Sequence, residues 1–600
     1  MMRHNNIFNR KIITTYVILL IFLYIYSIYA VWDCPVDGYE GSIYLATPAI
    51  FWIMLFLMYI TCFIFELQED SIKYTRFIQY ILLLLASVSF CALYRIRGYL
   101  PYNISGDTGI HLGNINTGIF EAIIYPLSLV EPKIFCIISS TDVETAFYCI
   151  NIIFIFILII GSYLLSKEIL NNKKISNIIL ILLCVLPFGS STYTMGGWSL
   201  STYIPYILSF MIVPITLYLV QKLSKNKQGS TSPFYLISVI MIFSILLYHP
   251  ISFIVVMVYI VLLILFWMYR FISGVDKIYS SIFTLAIISV ILAIIWMLSI
   301  STIEDNILLF KDILLNEEIN SVYIDRFGQA SSQVGDNMPY SELLYYLITQ
   351  TGQIILFGIS IFIWITFSFR KCNFFNQIQC NNDQFKILCA LLIPLGLISL
   401  ILLVENISPW RLSPLLSLVG IFTIGIILCN LWNTHSKYKT ITKSIVIIIF
   451  IIICILSITT YYQSIDTATP PNHTTEGTIS GAEYLFNYIN YDFEKYSVNF
   501  PLKNYAIALF GNKYLQTGGK DMTFYSAISK PPTNFEIDSS SQFGAYLIIT
   551  ESALVAYNDI PKYTFWNHTS PWSRNDYQKL SYNEYISKVY SNKELDLWIY

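Results

Sequence analysis

Asp107 and His111 stand four residues apart in the run Gly106-Asp107-Thr108-Gly109-Ile110-His111. If this segment is helical, its carboxylate and imidazole share one face. A carboxylate so placed can act as a general base, and the imidazole can contact a phosphate or a metal. The same residues also suit a structural role, with Asp107 as a helix N-cap and His111 packed below it. Gly106, Gly109 and Gly113 weaken such a helix, but they let a substrate or a second backbone approach closely.

Three other places carry polar chemistry. In Glu405-Asn-Ile-Ser-Pro-Trp-Arg411 the planar guanidinium fork of Arg411 suits bidentate phosphate binding, and pairing with Glu405 is its structural alternative. His249 lies in the turn Tyr248-His249-Pro250, as a substrate contact or as part of the turn itself. The segment 302–345 carries Glu304, Asp305, Glu317, Glu318, Asp325, Arg326 and Asp336. Most of these charges read as a solvated face, although loops of this length are more often functional than idle. The candidate site is therefore Asp107 as the catalytic residue, with His111, Arg411, His249 and Glu405 as substrate-binding residues and no metal ligand set assigned.

The elements that must position these residues are membrane spans. The 600 residues are 56% hydrophobic and 12% charged, and the mean hydropathy is +0.62. One soluble core cannot bury that much apolar sequence. Windows of about 17 to 25 apolar residues can cross a hydrocarbon core of about 30 Å as helices. Thirteen such windows are predicted, at 12–31, 43–65, 77–94, 146–166, 176–189, 199–220, 233–248, 251–269, 281–300, 350–368, 387–404, 413–432 and 444–462. The first follows Arg3, Arg10 and Lys11, and it reads as a retained signal anchor because its apolar stretch is long and no small-residue cleavage site follows.

Basic residues set the expected orientation. Alternate loops beginning with the N-terminus hold nineteen Lys and Arg, against six in the opposite set before residue 463. This predicts the N-terminus inside and the C-terminal tail outside. The sequons at Asn103, Asn406, Asn472 and Asn567 all fall on the predicted outer side. From about residue 464 the composition shifts to polar sequence, with helix-like residues around Ser480 to Tyr488 and strand-like runs at Tyr505–Phe510, Ala545–Thr550 and Leu595–Tyr600. The expected fold is a polytopic α-helical membrane protein with a C-terminal extracytoplasmic α/β or α+β domain ending in a hairpin that turns at Asn592. Its expected parts are two N-terminal spans (1–76), a transmembrane module (77–462) with outer loops 95–145 and 302–345, and the outer domain (463–600).

Other classes are disfavoured. A net charge of -2 offers no basic field for nucleic acid. Walker A, dinucleotide-binding, nucleophile-elbow and His-Glu-x-x-His motifs are missing from the sequence. The spans are poor in the ionisable residues that ion-coupled transporters keep on their pathway. Cysteine sets no framework: most of the eleven lie in spans, and Cys34 and Cys136, both predicted outside, could pair. Cys372 and Cys380 share a cytoplasmic loop without companions at zinc-binding spacing.

A long first outer loop carrying Asp107, a second long outer loop, an outer Arg411 and a C-terminal outer domain together resemble the GT-C membrane glycosyltransferases. That superfamily includes oligosaccharyltransferase catalytic subunits, protein O-mannosyltransferases and aminoarabinose transferases. The resemblance covers residues 77 to 600 in layout and only a few residues in motif. Two departures stand beside it: the likeness begins at the third span, and Asp107 lacks the paired acidic residues of many members. The resemblance implies an inverting transfer of a sugar from a polyprenyl phosphate or diphosphate carrier to a protein, lipid or glycan acceptor, in a multi-pass protein of the plasma membrane. Asp107 would accept the acceptor's proton while Arg411 stabilises the departing phosphate. A divalent metal, Mg or Mn, could share the second role. The competing readings are a lipid-glycan flippase or other transporter, and a non-catalytic scaffold or receptor acting through residues 464–600.

Overall fold

Runs of Ile, Leu and Phe in a medium without water must satisfy their backbone groups internally, and helices dominate the structure accordingly. The computed structural model describes residues 2–67, 73–100, 107–118, 125–186, 203–225, 233–273, 280–298, most of 341–369, 383–404, 412–433 and 439–467. In the tail it describes 471–511 apart from 472, 490–492 and 499–501, then 545–558 and most of 578–599. The main helices are α1 (Met2–Trp32), α2 (Ala49–Leu67), α3 (Lys73–Cys91), α4 (Asp107–Thr117), α5 (Leu127–Ser139), α6 (Val143–Leu170) and α7 (Lys173–Val185). They continue as α8 (Pro205–Lys225), α9 (Pro233–Tyr248), α10 (Pro250–Ile272), α11 (Ser280–Leu298), α12 (Gly352–Phe369), α13 (Asp383–Ala390), α14 (Leu392–Val404), α15 (Ser413–Trp432) and α16 (Lys439–Thr460). The tail adds α17 (Glu476–Tyr488), α18 (Leu502–Phe510) and α19 (Glu551–Asn558).

Among the described residues seven helices are long and apolar enough to cross a membrane: α1, α2, α6, α8, α10, α15 and α16. Shorter apolar helices lie within α3, α9, α11 and α12 and across α13 and α14. The chain is thus a polytopic α-helical membrane protein. Local chemistry sets several boundaries. Asp142 caps α6 by accepting from the Thr145 N–H at 2.6 Å, and Asn171 ends it in a left-handed conformation. The window 43–65 divides at Thr47-Pro48 into a single turn, Ile43–Ala46, capped by Ser42, and α2. Helices meet closely where glycine allows it: Gly161 of α6 faces the Ile215 backbone of α8, and Gly420 of α15 faces Phe357 of α12.

Charge separates the two ends of the bundle. One end carries Glu168 paired with Lys222 and Lys225 at 2.6 and 2.8 Å, Arg270 beside Asp383, and Lys174 bonded to Asn433. The other end carries the tail. There β1 (Glu494–Val498), β2 (Ala545–Thr550), β3 (Ser587–Ser591) and β4 (Leu595–Ile599) form one sheet in the order β1-β2-β4-β3. β1 and β2 run parallel, and the other pairs are antiparallel. The β3–β4 hairpin turns through Asn592, whose side-chain oxygen accepts from the N–H groups of Glu594 and Leu595. Residues 505–510, expected as a strand, are helical in α18. Tyr505, Ala506, Leu509 and Phe510 recur at helical spacing, and the alanines favour the helix.

Glu594 joins the hairpin to the start of α17. Its buried carboxylate accepts from the hydroxyls of Thr475 and Thr478 at the N-terminus of that helix, where the macrodipole favours an anion. Glu594→Ala leaves two hydroxyls without their acceptor and is expected to cost about 1–3 kcal/mol. Earlier proteolytic nicking of the tail, with the bundle intact, is the expected readout.

Candidate functional site

The site is built on α4, which has three distinct faces. Thr108, Leu112 and Ile115 lie on one side and are buried against the bundle, where the Thr108 hydroxyl donates to the Tyr203 carbonyl at 3.0 Å. Gly113 and Thr117 lie on another, against α18 of the tail. Any side chain at Gly113 would overlap the Ile507 carbonyl, and Gly511, in a left-handed conformation just past α18, sits against Thr117. Between these two faces, at the seam of bundle and tail, run positions 107, 111 and 114 at helical spacing. Asp107 is the first residue of the helix.

Two polar atoms on this third face are buried and have no hydrogen-bond partner among the described residues: His111 Nδ1 and Asn114 Oδ1. An orphaned buried polar group carries a desolvation cost that a polar ligand can offset. Burial pushes the His111 imidazole down to about 4, so it is neutral at neutral pH. A neutral imidazole serves as a hydrogen-bond partner or a metal ligand. Asn114 was not singled out in the sequence, although its spacing of seven from Asp107 continues the face.

A second carboxylate lies on α5, which packs against α4. Glu131 on α5 accepts from the hydroxyl of Tyr248, and burial raises its pKa. Lys133 of the same helix donates to the Ile115 carbonyl at 3.5 Å, tying α5 to α4. Tyr248 ends α9, and the next residue is His249, which is 4% exposed. Its Nδ1 accepts from the Ile251 N–H at 3.2 Å as the N-cap of α10, and its ring stacks on Tyr125 at 5.0 Å. His249 thus caps α10 in the turn after α9, where Pro250 supplies no N–H and Nδ1 satisfies the next one. Glu405 and Arg411, and nearly all of loop 302–345, lie outside the described residues, as does the side chain of Asp107.

Among the described residues no group of three or more His, Cys, Asp and Glu is arranged to hold a metal ion. Cys34 and Cys136 are both free thiols. Acid sensitivity is expected from two buried histidines, His111 in the site and His473 outside it. His473, at the base of the tail, is held down to about 3 by burial and by the Arg97 charge, as His111 is held near 4 by burial. The unfolded chain binds these protons from about 6.5 downward, so it gains protons before the folded chain does. Stability is therefore fully present above about 6.5 and is lost as pH falls toward 4. The melting temperature in detergent is expected to drop across that window, and a flat profile would contradict neutral, buried imidazoles.

Fold and site define the class: a multi-pass helical membrane protein that holds a polar helix between its bundle and its tail. A profile of a family of unknown function, DUF6541, matches residues 134–310. No curated protein sequence matches. Among solved structures, the chain is similar to the oligosaccharyltransferase of Archaeoglobus fulgidus in its apo form, with 11% identity and a TM-score of 0.45, covering 74% of this chain. The chain spans 65% of that protein's length. It is also similar to the same organism's AglB oligosaccharyltransferase in complex with an inhibitory peptide and a dolichol-phosphate, with 9% identity and a TM-score of 0.44, covering 72% of this chain and 63% of that one. ArnT from Cupriavidus metallidurans, bound to undecaprenyl phosphate, is similar over 92% of this chain and 98% of its own, with 9% identity and a TM-score of 0.42.

Proposed function

We propose that this protein is an inverting GT-C-type glycosyltransferase that moves a sugar from a polyprenyl-phosphate-linked donor to an acceptor on the outer face of the plasma membrane. The observation that carries the reading is the third face of α4: a carboxylate-bearing position in register with two buried polar atoms that have no hydrogen-bond partner among the described residues. That face lies at the end of the bundle where the tail sits, opposite the lysine-bearing end. On the topology expected from the sequence, thirteen spans with the N-terminus inside and the tail outside, that face would lie at the outer water boundary, beside a lipid-linked headgroup. The solved oligosaccharyltransferase with dolichol-phosphate and ArnT with undecaprenyl phosphate give this ligand class its precedent in other proteins.

In this reading Asp107 accepts the proton of the acceptor as its oxygen attacks the anomeric carbon. Attack from the face opposite the leaving group inverts the configuration. Arg411 stabilises the charge growing on the departing phosphate. Neutral His111 and Asn114 satisfy their orphaned atoms on polar groups of the substrate. A divalent cation, Mg or Mn, would share the charge-stabilising role beside Arg411; no step above depends on it. The acceptor is a protein, lipid or glycan.

Proteoliposomes holding a polyprenyl-phosphate sugar labelled in the sugar test this reading against transport. The expected result is label released into water, with free polyprenyl phosphate left in the membrane. Intact labelled lipid appearing in the opposite leaflet, with no release, would instead make the protein a flippase.

A further inference from the structure

The loop between α1 and α2 reaches the base of the tail, and its contacts give the first two helices a task. Arg97, only 1% exposed, sits just beyond α3. Its guanidinium grips both oxygens of Glu40 at 2.6 Å and donates to the Cys34 carbonyl at 3.2 Å. Tyr99 adds a third donor to the same carboxylate. This fork turns the ten-residue loop 33–42 into a fixed element, because charge-assisted bidentate bonds hold direction as well as distance. The loop then grips the tail. The Glu40 N–H donates to His473 Nε2 at 3.4 Å, Tyr39 stacks on the His473 ring at 4.6 Å, and the Tyr39 hydroxyl donates to the Pro471 carbonyl at 2.8 Å. Close by, the Ile465 N–H donates to the Gly41 carbonyl and the Leu100 N–H to the Thr474 carbonyl.

From this base the path runs directly to α4. Residues 473–475 lead into α17, which packs on α18, and α18 packs on α4 through Gly113. We propose that the loop 33–42 is a positioning clamp for the site, in which Glu40, held by Arg97, seats His473 and the tail so that α18 fixes the helix bearing Asp107, His111 and Asn114. The two helices absent from the resemblance in layout are, on this view, the arms that deliver the clamp. Glu40 and Tyr39 touch no part of the candidate site and act only through the tail.

The test uses hydrogen exchange read by mass spectrometry on the purified full chain, comparing wild type with Glu40→Gln and with Tyr39→Phe. Tyr39→Phe keeps the stacked ring and removes the hydroxyl that bonds the Pro471 carbonyl, so it remains informative if Glu40→Gln fails to fold. The clamp predicts exchange about tenfold faster in 107–117 and 502–510 in the variants, with α6 and α8 unchanged. Faster exchange confined to 33–42, with 107–117 and 502–510 as in wild type, would overturn it. The rate consequence rests on the transferase reading: kcat for sugar release is expected to fall about tenfold with KM for the lipid donor unchanged. A raised KM at unchanged kcat would also overturn the positioning role. If wild type releases no sugar, the transferase reading fails while the exchange result still decides the clamp.

Discussion

Asp107→Asn is expected to lower sugar release by about 10²–10⁴-fold while leaving the melting temperature near that of wild type. The substitution keeps size and hydrogen-bonding capacity and removes only the ability to accept a proton. Asp107 is the first residue of α4, where Asn has a helix propensity close to that of Asp, so the helix is expected to be retained. A purely structural Asp107 therefore gives a nearly silent variant, and a general base gives a folded, inactive one. The comparison is made on purified protein, with release and melting temperature measured on the same preparation. Equal release from both proteins would remove Asp107 from the chemistry.

Gly113→Ala separates local propensity from tertiary contact. Within an isolated helix, alanine in place of glycine stabilises by about 1 kcal/mol. Here the added carbon overlaps the Ile507 backbone carbonyl, and a backbone atom cannot swing aside as a side chain would. The expected sign is reversed: a loss of about 1–3 kcal/mol as α4 and α18 separate. On the transferase reading, sugar release is expected to fall about 10²-fold, since a shift on the order of 1 Å misplaces the face bearing Asp107. Gly358→Ala on α12 is the control, because nothing lies within 4 Å of the added carbon. It should melt at or above the wild-type temperature. A Gly113→Ala protein as stable and active as wild type would show that α4 does not depend on its contact with the tail.

Much of this arrangement was legible in the sequence, and the illegible parts have physical causes. Apolar windows mark helices wherever the medium forbids unpaired backbone, so the helical plan of the bundle follows from hydropathy. The face joining Asp107 to His111 follows from a spacing of four, and Asn114 continues it at seven. The capping bond of His249 did not follow: a histidine before a proline reads equally as a ligand or as a cap, and only its contact with the Ile251 N–H reveals the bond. The state of His111 was also hidden, since its neutrality comes from burial by distant parts of the chain. Tyr505 to Phe510 reads as a strand on residue type, yet it folds as a helix because one face packs on α4 while another meets α17. The Glu40–Arg97 fork spans 57 residues and the Tyr39–Pro471 bond spans 432, and no local pattern announces pairings of that range.

The most direct test of the central claim offers purified wild-type protein a panel of polyprenyl-phosphate sugars and follows slow hydrolysis, so that water stands in for the acceptor. Nuclear magnetic resonance reads the anomeric configuration of the sugar as it is released. Release of at least one sugar with inverted configuration, leaving polyprenyl phosphate, is the predicted result. No release above background from any donor across a broad panel would contradict it.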